Sequence, residues 1–118
     1  MSRRKGSEDG ELGIGRMVTE IVELNIKPGD EAAFEKSVAQ AAGLFKKTKG
    51  CLALCLRRSV EQPTRYRLFV RWRHIDDHLV GFKNSPEIDE WRRLVGPFFA
   101  SVPAIEHFEE VFEGFGGV

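Results

Sequence analysis

The three histidines of this chain are its best candidates for acid-base chemistry, because the pKa of histidine lies nearest to neutral pH. His74 follows a predicted strand, His78 lies on a predicted short helix and His107 lies in the last predicted strand. Their spacing is not that of metal ligands, so we do not predict a metal site. His78 is the best candidate for a base facing a pocket, with a structural histidine as the alternative. We assign His107 a structural or interface role.

Aromatic residues would suit the lining of a pocket for a flat aromatic molecule, because stacking and burial both favour such a lining. The candidates are Trp72, Phe82, Trp91, Phe98 and Phe99. The alternative is that these side chains form the core and a dimer interface.

Two cysteines, Cys51 and Cys55, lie in one predicted strand, where both would point to the same face about 13 Å apart at ~3.3 Å per residue. That separation excludes a disulfide between them. No second Cys or His pair with zinc spacing is present, so we interpret both as small buried apolar residues.

The elements that position these residues follow from hydrophobic periodicity. Alternation from Met17 predicts a half-buried strand that ends at Pro28, and a helix with an apolar stripe follows Asp30 as N-cap and ends near Gly50. Further strands are predicted at 51–58, 66–73 and 105–112, with a brief helix around His78 and a longer one that Ser85 caps. The order β-α-β-β-α-β predicts an α+β fold of the ferredoxin-like, split βαβ kind, with helices on one face of an antiparallel sheet.

The second strand is apolar on both faces, which is typical of a strand covered on two sides. Helices can cover one face, and a second copy of the chain is the economical cover for the other, so we predict a homodimer. Arg67, Arg71 and Arg73 alternate along the third strand and would pair with Glu106 or Glu110 across such an interface, with the binding of an anionic substrate as the alternative.

Composition narrows the partners and the location. The chain of 118 residues has 18 Lys plus Arg and 18 Asp plus Glu, so no charge excess favours nucleic acid. No apolar run approaches the roughly 20 residues that span a bilayer, and no secretory signal is present, so we predict a cytoplasmic protein without a membrane partner. We predict a leader at 1–15 that is disordered or a cloning remnant, one domain at 16–114 and a tail at 115–118.

Short segments in a particular order resemble the antibiotic biosynthesis monooxygenase (ABM) domain of the dimeric α+β barrel superfamily. They are Ile26-Lys27-Pro28-Gly29, Phe34, Gly50-Cys51-Leu52, Phe69 to Trp72, Asn84-Ser85-Pro86, Val102-Pro103 and Ile105-Glu106-His107-Phe108. The resemblance implies a dimeric α+β barrel. Members of the family include cofactor-free oxygenases of aromatic polyketides, quinol oxygenases and haem-degrading oxygenases.

The departures from the family pattern disfavour haem degradation. Where haem-degrading relatives carry Asn, Trp and His, this chain has Val22, Phe82 and the region of Trp91. The family also often carries Glu two residues before the Trp of the third strand, where this chain has Val70.

The resemblance therefore implies a cofactor-independent monooxygenase of a small phenol, anthrone or quinol. We expect His78 as base or donor, and a wall formed by Val22, Phe82, Trp91 and Trp72. The alternatives are a non-catalytic binding or stress-response module with the same cavity, or an atypical haem-binding protein.

Overall fold

The computed structural model describes residues 17–118, and the predicted leader at 1–15 lies outside them. Four antiparallel strands form one sheet in the order β2-β3-β1-β4. The strands are β1 (Val18–Asn25), β2 (Cys51–Arg58), β3 (Arg65–Trp72) and β4 (Ala104–Phe108), and the helices are α1 (Glu31–Lys46) and α2 (Pro86–Val95). A single turn of π-helix (Asp77–Gly81) and a 3-10 turn (Phe82–Asn84) join β3 to α2, and a second 3-10 turn (Gly96–Phe98) follows α2. The predicted α+β ferredoxin-like fold is confirmed.

The core lies between the helices and one face of the sheet, which we call the inner face. Alternation places every second residue of β1 and β3 on that face, where they are buried (Val22, Leu24, Tyr66, Leu68, Val70 and Trp72). Phe34, Val38, Ala41 and Phe45 of α1, and Trp91 and Val95 of α2, cover them. The apolar stripe predicted for α1 is therefore confirmed, and α2 also turns an apolar side to the sheet.

The helix starts are as predicted, although their side chains bond differently. Asp30 precedes α1 without a capping hydrogen bond from its side chain, and Glu31 instead accepts one from the N–H of Gly29. Ser85 has extended backbone before Pro86, as an N-cap residue should, but its hydroxyl donates to the carbonyl of Phe82 at 2.6 Å. This bond ties the start of α2 to the turn that carries Phe82.

A β-bulge in β2 makes the prediction that both cysteines are buried on one face wrong. The register with β3 shifts between Cys51 and Ala53, because Leu52 is an extra residue in β2. The regular alternation of faces is therefore interrupted at Leu52. Cys51 packs against the core with Leu54, whereas Cys55 is exposed on the opposite face. The two free thiols therefore point to opposite faces, and only Cys51 is partly buried.

Two predicted boundaries are also wrong. The last strand ends at Phe108 rather than at residue 112, because the chain after it leaves the sheet edge and makes no further ladder with β1. Helix α1 ends at Lys46, so Gly50 lies beyond its C′ position and directly precedes β2 instead. Across residues 17–118, no helix is both long and apolar enough to cross a membrane.

Gly50 is a point of close approach between β2 and the π-turn. Its φ is +83°, and a Cβ built there would lie 2.0 to 2.7 Å from side-chain atoms of Asp77. Its carbonyl accepts a hydrogen bond from the N–H of Arg73 at 2.7 Å. Only glycine satisfies this backbone conformation and this contact together.

We expect Gly50→Ala to lower the free energy of unfolding by about 1–3 kcal/mol, since it adds backbone strain and displaces Asp77. Urea denaturation measures this change. Gly43→Ala is the matched control: Gly43 is exposed within α1 with nothing within 4 Å of a new Cβ, so alanine should stabilise by about 0.5–1 kcal/mol. Equal effects of the two substitutions would contradict this account of Gly50.

Candidate functional site

His78 lies on the π-turn, and only 2% of its surface is exposed. Single π-turns are rare and occur often at functional sites. The turn is fixed at its start by His74, whose carbonyl accepts from the N–H of Asp77 and whose Nδ1 accepts from the N–H of Asp76 at 3.2 Å. His74 therefore shapes the turn, and His78 points from it into the inner face.

Glu20 is the buried charged partner of His78. It lies on the inner face of β1 among apolar residues and is 4% exposed. Its Oε1 accepts a hydrogen bond from Nε1–H of Trp72 at 2.9 Å, and its Oε2 lies 3.4 Å from Nε2 of His78. A carboxyl group on an apolar strand face requires such partners, because an unpaired buried charge costs several kcal/mol.

His107 completes the cluster from the edge strand. Its Nε2 lies 2.8 Å from Nδ1 of His78, and the residue is half-buried. In the pairing of β1 with β4, His107 is directly opposite Glu20. The three groups thus form a chain in the order Glu20, His78, His107, which we call the acid-base cluster.

Burial shifts the pKa values of this cluster in the direction that favours the uncharged form of each side chain. It raises the pKa of Glu20 to about 6, against the hydrogen bond from Trp72 and the charge of Lys83, which both lower it. Burial lowers the pKa of His78 to about 4, and His107 and Lys83 add to that effect. The pKa of His107 is also lowered, by burial first and then by Lys83. At neutral pH the histidines are therefore neutral and Glu20 is mainly ionised.

Three of the predicted site residues meet here. The ring of Trp72 stacks on that of His78, with centroids 5.4 Å apart and planes at 18°. The ring centroid of Phe82 lies 5.8 Å from that of Trp72 and 6.3 Å from that of His78. Trp91 contacts Phe45, which in turn contacts Phe82, so it lies one ring further away.

The remaining candidates lie to either side. Val22 is two residues from Glu20 on the same face of β1 and is 6% exposed. Phe98 contacts Phe34, which packs on Tyr66 at the end of β3 away from Trp72, so it is not part of this group.

Glu20 and His107 are the members of the cluster that the sequence did not predict as site residues. A charged residue at an inner-face position of an otherwise apolar alternation was the available signal for Glu20. In the strand register Glu20 is directly opposite Val70, the position at which the family resemblance implies a glutamate. The carboxyl group is therefore on the neighbouring strand at the same level of the sheet.

Metal ligation is not the arrangement seen here. Nε2 and Nδ1 of His78 point to different partners instead of converging on one point. Within residues 17–118, no group of three or more His, Cys, Asp or Glu side chains could hold a metal ion.

The other side of the sheet, the outer face, carries exposed and half-buried residues of mixed character. Hollows of about 340 and 530 Å³ lie on it, and both include Ile21, Phe69 and Phe108 in their lining. The guanidinium of Arg57 lies 4.6 Å from the ring centroid of Phe69. These hollows are separated from His78 by the sheet itself.

Comparison with known proteins identifies the family. The family profile described as "Antibiotic biosynthesis monooxygenase" matches residues 17–94. The chain belongs to this family. A solved structure from Bordetella bronchiseptica, whose name carries the same family designation, is 44% identical and covers 82% of this chain and 99% of its own, with a TM-score of 0.80.

Two further proteins are similar to this chain. The Bacillus subtilis (strain 168) protein YczJ, described as uncharacterized, is 38% identical over 95 residues, which are 80% of this chain and 100% of YczJ. SnoaB of Streptomyces nogalater, described as a cofactor-independent oxygenase and solved as a mutant, is 17% identical, with a TM-score of 0.73 over 85% of this chain and 98% of that one. At that identity SnoaB shows the shared fold alone.

Because the pKa of His78 is lowered in the folded protein, we expect the free energy of unfolding to depend on pH. In the unfolded chain, His78 takes up a proton as the pH falls below 6.5, whereas in the folded protein it does so only at about pH 4. This histidine should therefore reduce the free energy of unfolding as pH falls through that window, by on the order of 3 kcal/mol in total.

His78→Gln should remove this contribution, so that denaturation curves of variant and wild type converge as the pH is lowered from 6.5 to 4. The matched control is His74→Gln, whose histidine side chain is 45% exposed. A constant stability difference between His78→Gln and wild type across this range would contradict the prediction.

Proposed function

We propose that this protein is a cofactor-independent monooxygenase acting on a small, electron-rich aromatic such as a phenol, anthrone or quinol. The observation that carries the proposal is the buried pairing of neutral His78 with the carboxylate of Glu20 beside the rings of Trp72 and Phe82. Membership of the ABM family and the fold shared with the cofactor-independent oxygenase SnoaB support it. The proposed location is the cytoplasm, as the sequence predicts.

The proposed chemistry needs a base, a donor and an apolar surrounding. Removal of an acidic substrate proton leaves an electron-rich anion, which itself reduces oxygen and forms a C–O bond to give a hydroperoxide. For the methylene group of an anthrone, loss of water then leaves a carbonyl group, so that one methylene and one dioxygen become one carbonyl and one water. The substrate supplies the electrons, and the protein supplies proton transfer and exclusion of water.

The residues take the following roles in this proposal. His78 serves the transfer of the substrate proton, since it is a neutral imidazole at neutral pH and has the carboxylate of Glu20 behind it. The proposed wall of the site is formed by Val22, Trp72, Phe82 and Trp91, which are buried. Their rings and methyl groups would favour an aromatic ligand.

We also propose that the protein works as a homodimer through its outer face. A sheet with helices on only one side leaves the other side without a covering layer, and here Ile21, Phe69 and Phe108 are not fully buried. The same face carries Arg67, Arg71 and Glu106, so one patch holds charges of both signs, which makes it self-complementary across a two-fold axis. Pairs between these arginines and Glu106 or Glu110 of a second copy would complete it.

Oxygen uptake tests the catalytic proposal. Metal-stripped protein is expected to consume oxygen with at least one member of a panel of anthrones and quinols, and His78→Gln should lower the turnover by at least about 100-fold with the fold intact by circular dichroism. Glu23→Gln, on the outer face of β1 and 3.7 Å from Arg65, is the control for a neutral substitution away from the cluster.

No oxygen uptake with any member of the panel would favour a non-catalytic binding module. Uptake only after haem is added, together with a Soret shift, would favour an atypical haem-binding protein.

Light scattering at micromolar concentration tests the dimer. Wild type should have twice the mass of the chain, and Phe69→Glu should give a monomer, because it places a charge at the centre of the outer face. Val60→Glu is the control, since Val60 is 89% exposed in the turn between β2 and β3. A monomeric wild type would end this part of the proposal.

A further inference from the structure

Both ring nitrogens of His78 already have partners. Nδ1 lies 2.8 Å from Nε2 of His107, and Nε2 lies 3.4 Å from Oε2 of Glu20. With 2% of the residue exposed, His78 has no nitrogen open to a substrate. A substrate proton that ends on the acid-base cluster must therefore enter through one of these partners.

The charge on Glu20 decides which nitrogens carry hydrogen. Its Oε1 accepts from Trp72, and a carboxylate can only accept, so Nε2 of His78 carries the hydrogen that faces Oε2. A neutral imidazole carries one such hydrogen, which leaves Nδ1 of His78 as an acceptor. The hydrogen between the two rings then belongs to Nε2 of His107. The ring nitrogen of the cluster that takes no part in these contacts is Nδ1 of His107, which carries a lone pair.

His107 is also the member of the cluster nearest to an open side. It lies on β4, an edge strand, and is half-buried where His78 and Glu20 are enclosed. Ile105, on the same face of β4, is 48% exposed and lies directly opposite Val22. The strand edge next to His107 is thus apolar and accessible, as contact with an aromatic ring requires.

We propose that Glu20, His78 and His107 form a proton relay in which Nδ1 of His107 takes the substrate proton and Glu20 stores a proton in exchange. This inference rests on the proposed function and adds the path of the proton. The substrate O–H or C–H bond breaks toward Nδ1 of His107 and leaves its electron pair on the substrate. The proton on Nε2 of His107 moves to Nδ1 of His78, and the proton on Nε2 of His78 moves to Glu20.

This transfer leaves both rings neutral. The negative charge passes from Glu20 to the substrate anion, so no imidazolium has to form in a buried position. His107 is then the catalytic residue, and His78 and Glu20 act through it.

Charged and titratable groups from several elements face Glu20. They are His78 of the π-turn, His107 of β4, Lys83 of the 3-10 turn and Cys51 of β2, whose thiol pKa is raised by burial first and also by the charge of Glu20. Lys83 favours the carboxylate, whereas burial favours the neutral acid, and the pKa of Glu20 is about 6 as a result. A group with that pKa can give up and regain a proton near neutral pH.

Nitrogen-15 NMR of histidine-labelled full-length protein tests the relay without any substrate, because ring nitrogen shifts distinguish the two neutral tautomers. At about pH 7.5, where histidines of lowered pKa are neutral, both His78 and His107 should carry hydrogen on Nε2. Glu20→Gln removes the obligatory acceptor, so both rings should change to mixed tautomers. Glu23→Gln, on the outer face of the same strand and 3.7 Å from Arg65, is the matched control and should leave the wild-type signals.

Activity provides the second readout. With a substrate from the oxygen-uptake panel, Glu20→Gln and His107→Gln should each lower kcat by about 100-fold or more and change KM little. Wild-type kcat should fall as pH falls through about 6, where Glu20 is protonated, and this fall should be absent in Glu20→Gln.

The relay and the proposed function fail in different ways. Hydrogen on Nδ1 of His107 in the wild type, or unchanged tautomers in Glu20→Gln, would overturn the relay even if oxygen uptake continued. The expected tautomers in a protein that consumes no oxygen with any substrate would support the relay and overturn the oxygenase proposal.

Discussion

A carboxyl group buried on the apolar face of β1 is the constraint on which the rest of the site depends. Glu20 cannot remain ionised there without donors, because desolvation of an unpaired charge costs several kcal/mol. Trp72 supplies one donor from β3, and His78 faces the other oxygen from the π-turn. The chain after β3 must therefore return over the inner face, and Gly50 permits that return because it has no side chain to meet Asp77.

The sheet separates two kinds of surface. On its inner face, α1 and α2 exclude water and so shift the pKa values of Glu20 and His78 toward neutral forms. On its outer face, charged and apolar side chains alternate over shallow hollows, with Arg57 above Phe69. The proposed acid-base chemistry and the proposed subunit association could thus be altered independently, since the strands of one sheet carry the residues for both but point them in opposite directions.

Much of this architecture could be predicted from the sequence because periodicity depends on local burial. Alternation in β3 and the stripes of α1 and α2 correspond directly to the core. Periodicity failed at Leu52, where a bulge that no residue type announces put Cys55 on the outer face. Periodicity also did not identify Glu20 as a site residue, because the role of a charged residue in an apolar pattern depends on partners that the pattern does not contain. Those partners come from distant segments, so their meeting with Glu20 is a property of the tertiary structure alone.

The distance along the chain between these partners has a consequence for folding. Trp72 bonds to Glu20 across 52 residues, and His78 meets His107 across 29. Contacts of such long range form slowly, because the entropy of loop closure is lost before they stabilise the chain. The edge strand β4 is the last segment to leave the ribosome among those that carry the cluster, so a nascent chain cannot assemble it until β4 has emerged. Proton transfer by these side chains would therefore occur only in molecules in which β4 has joined the sheet.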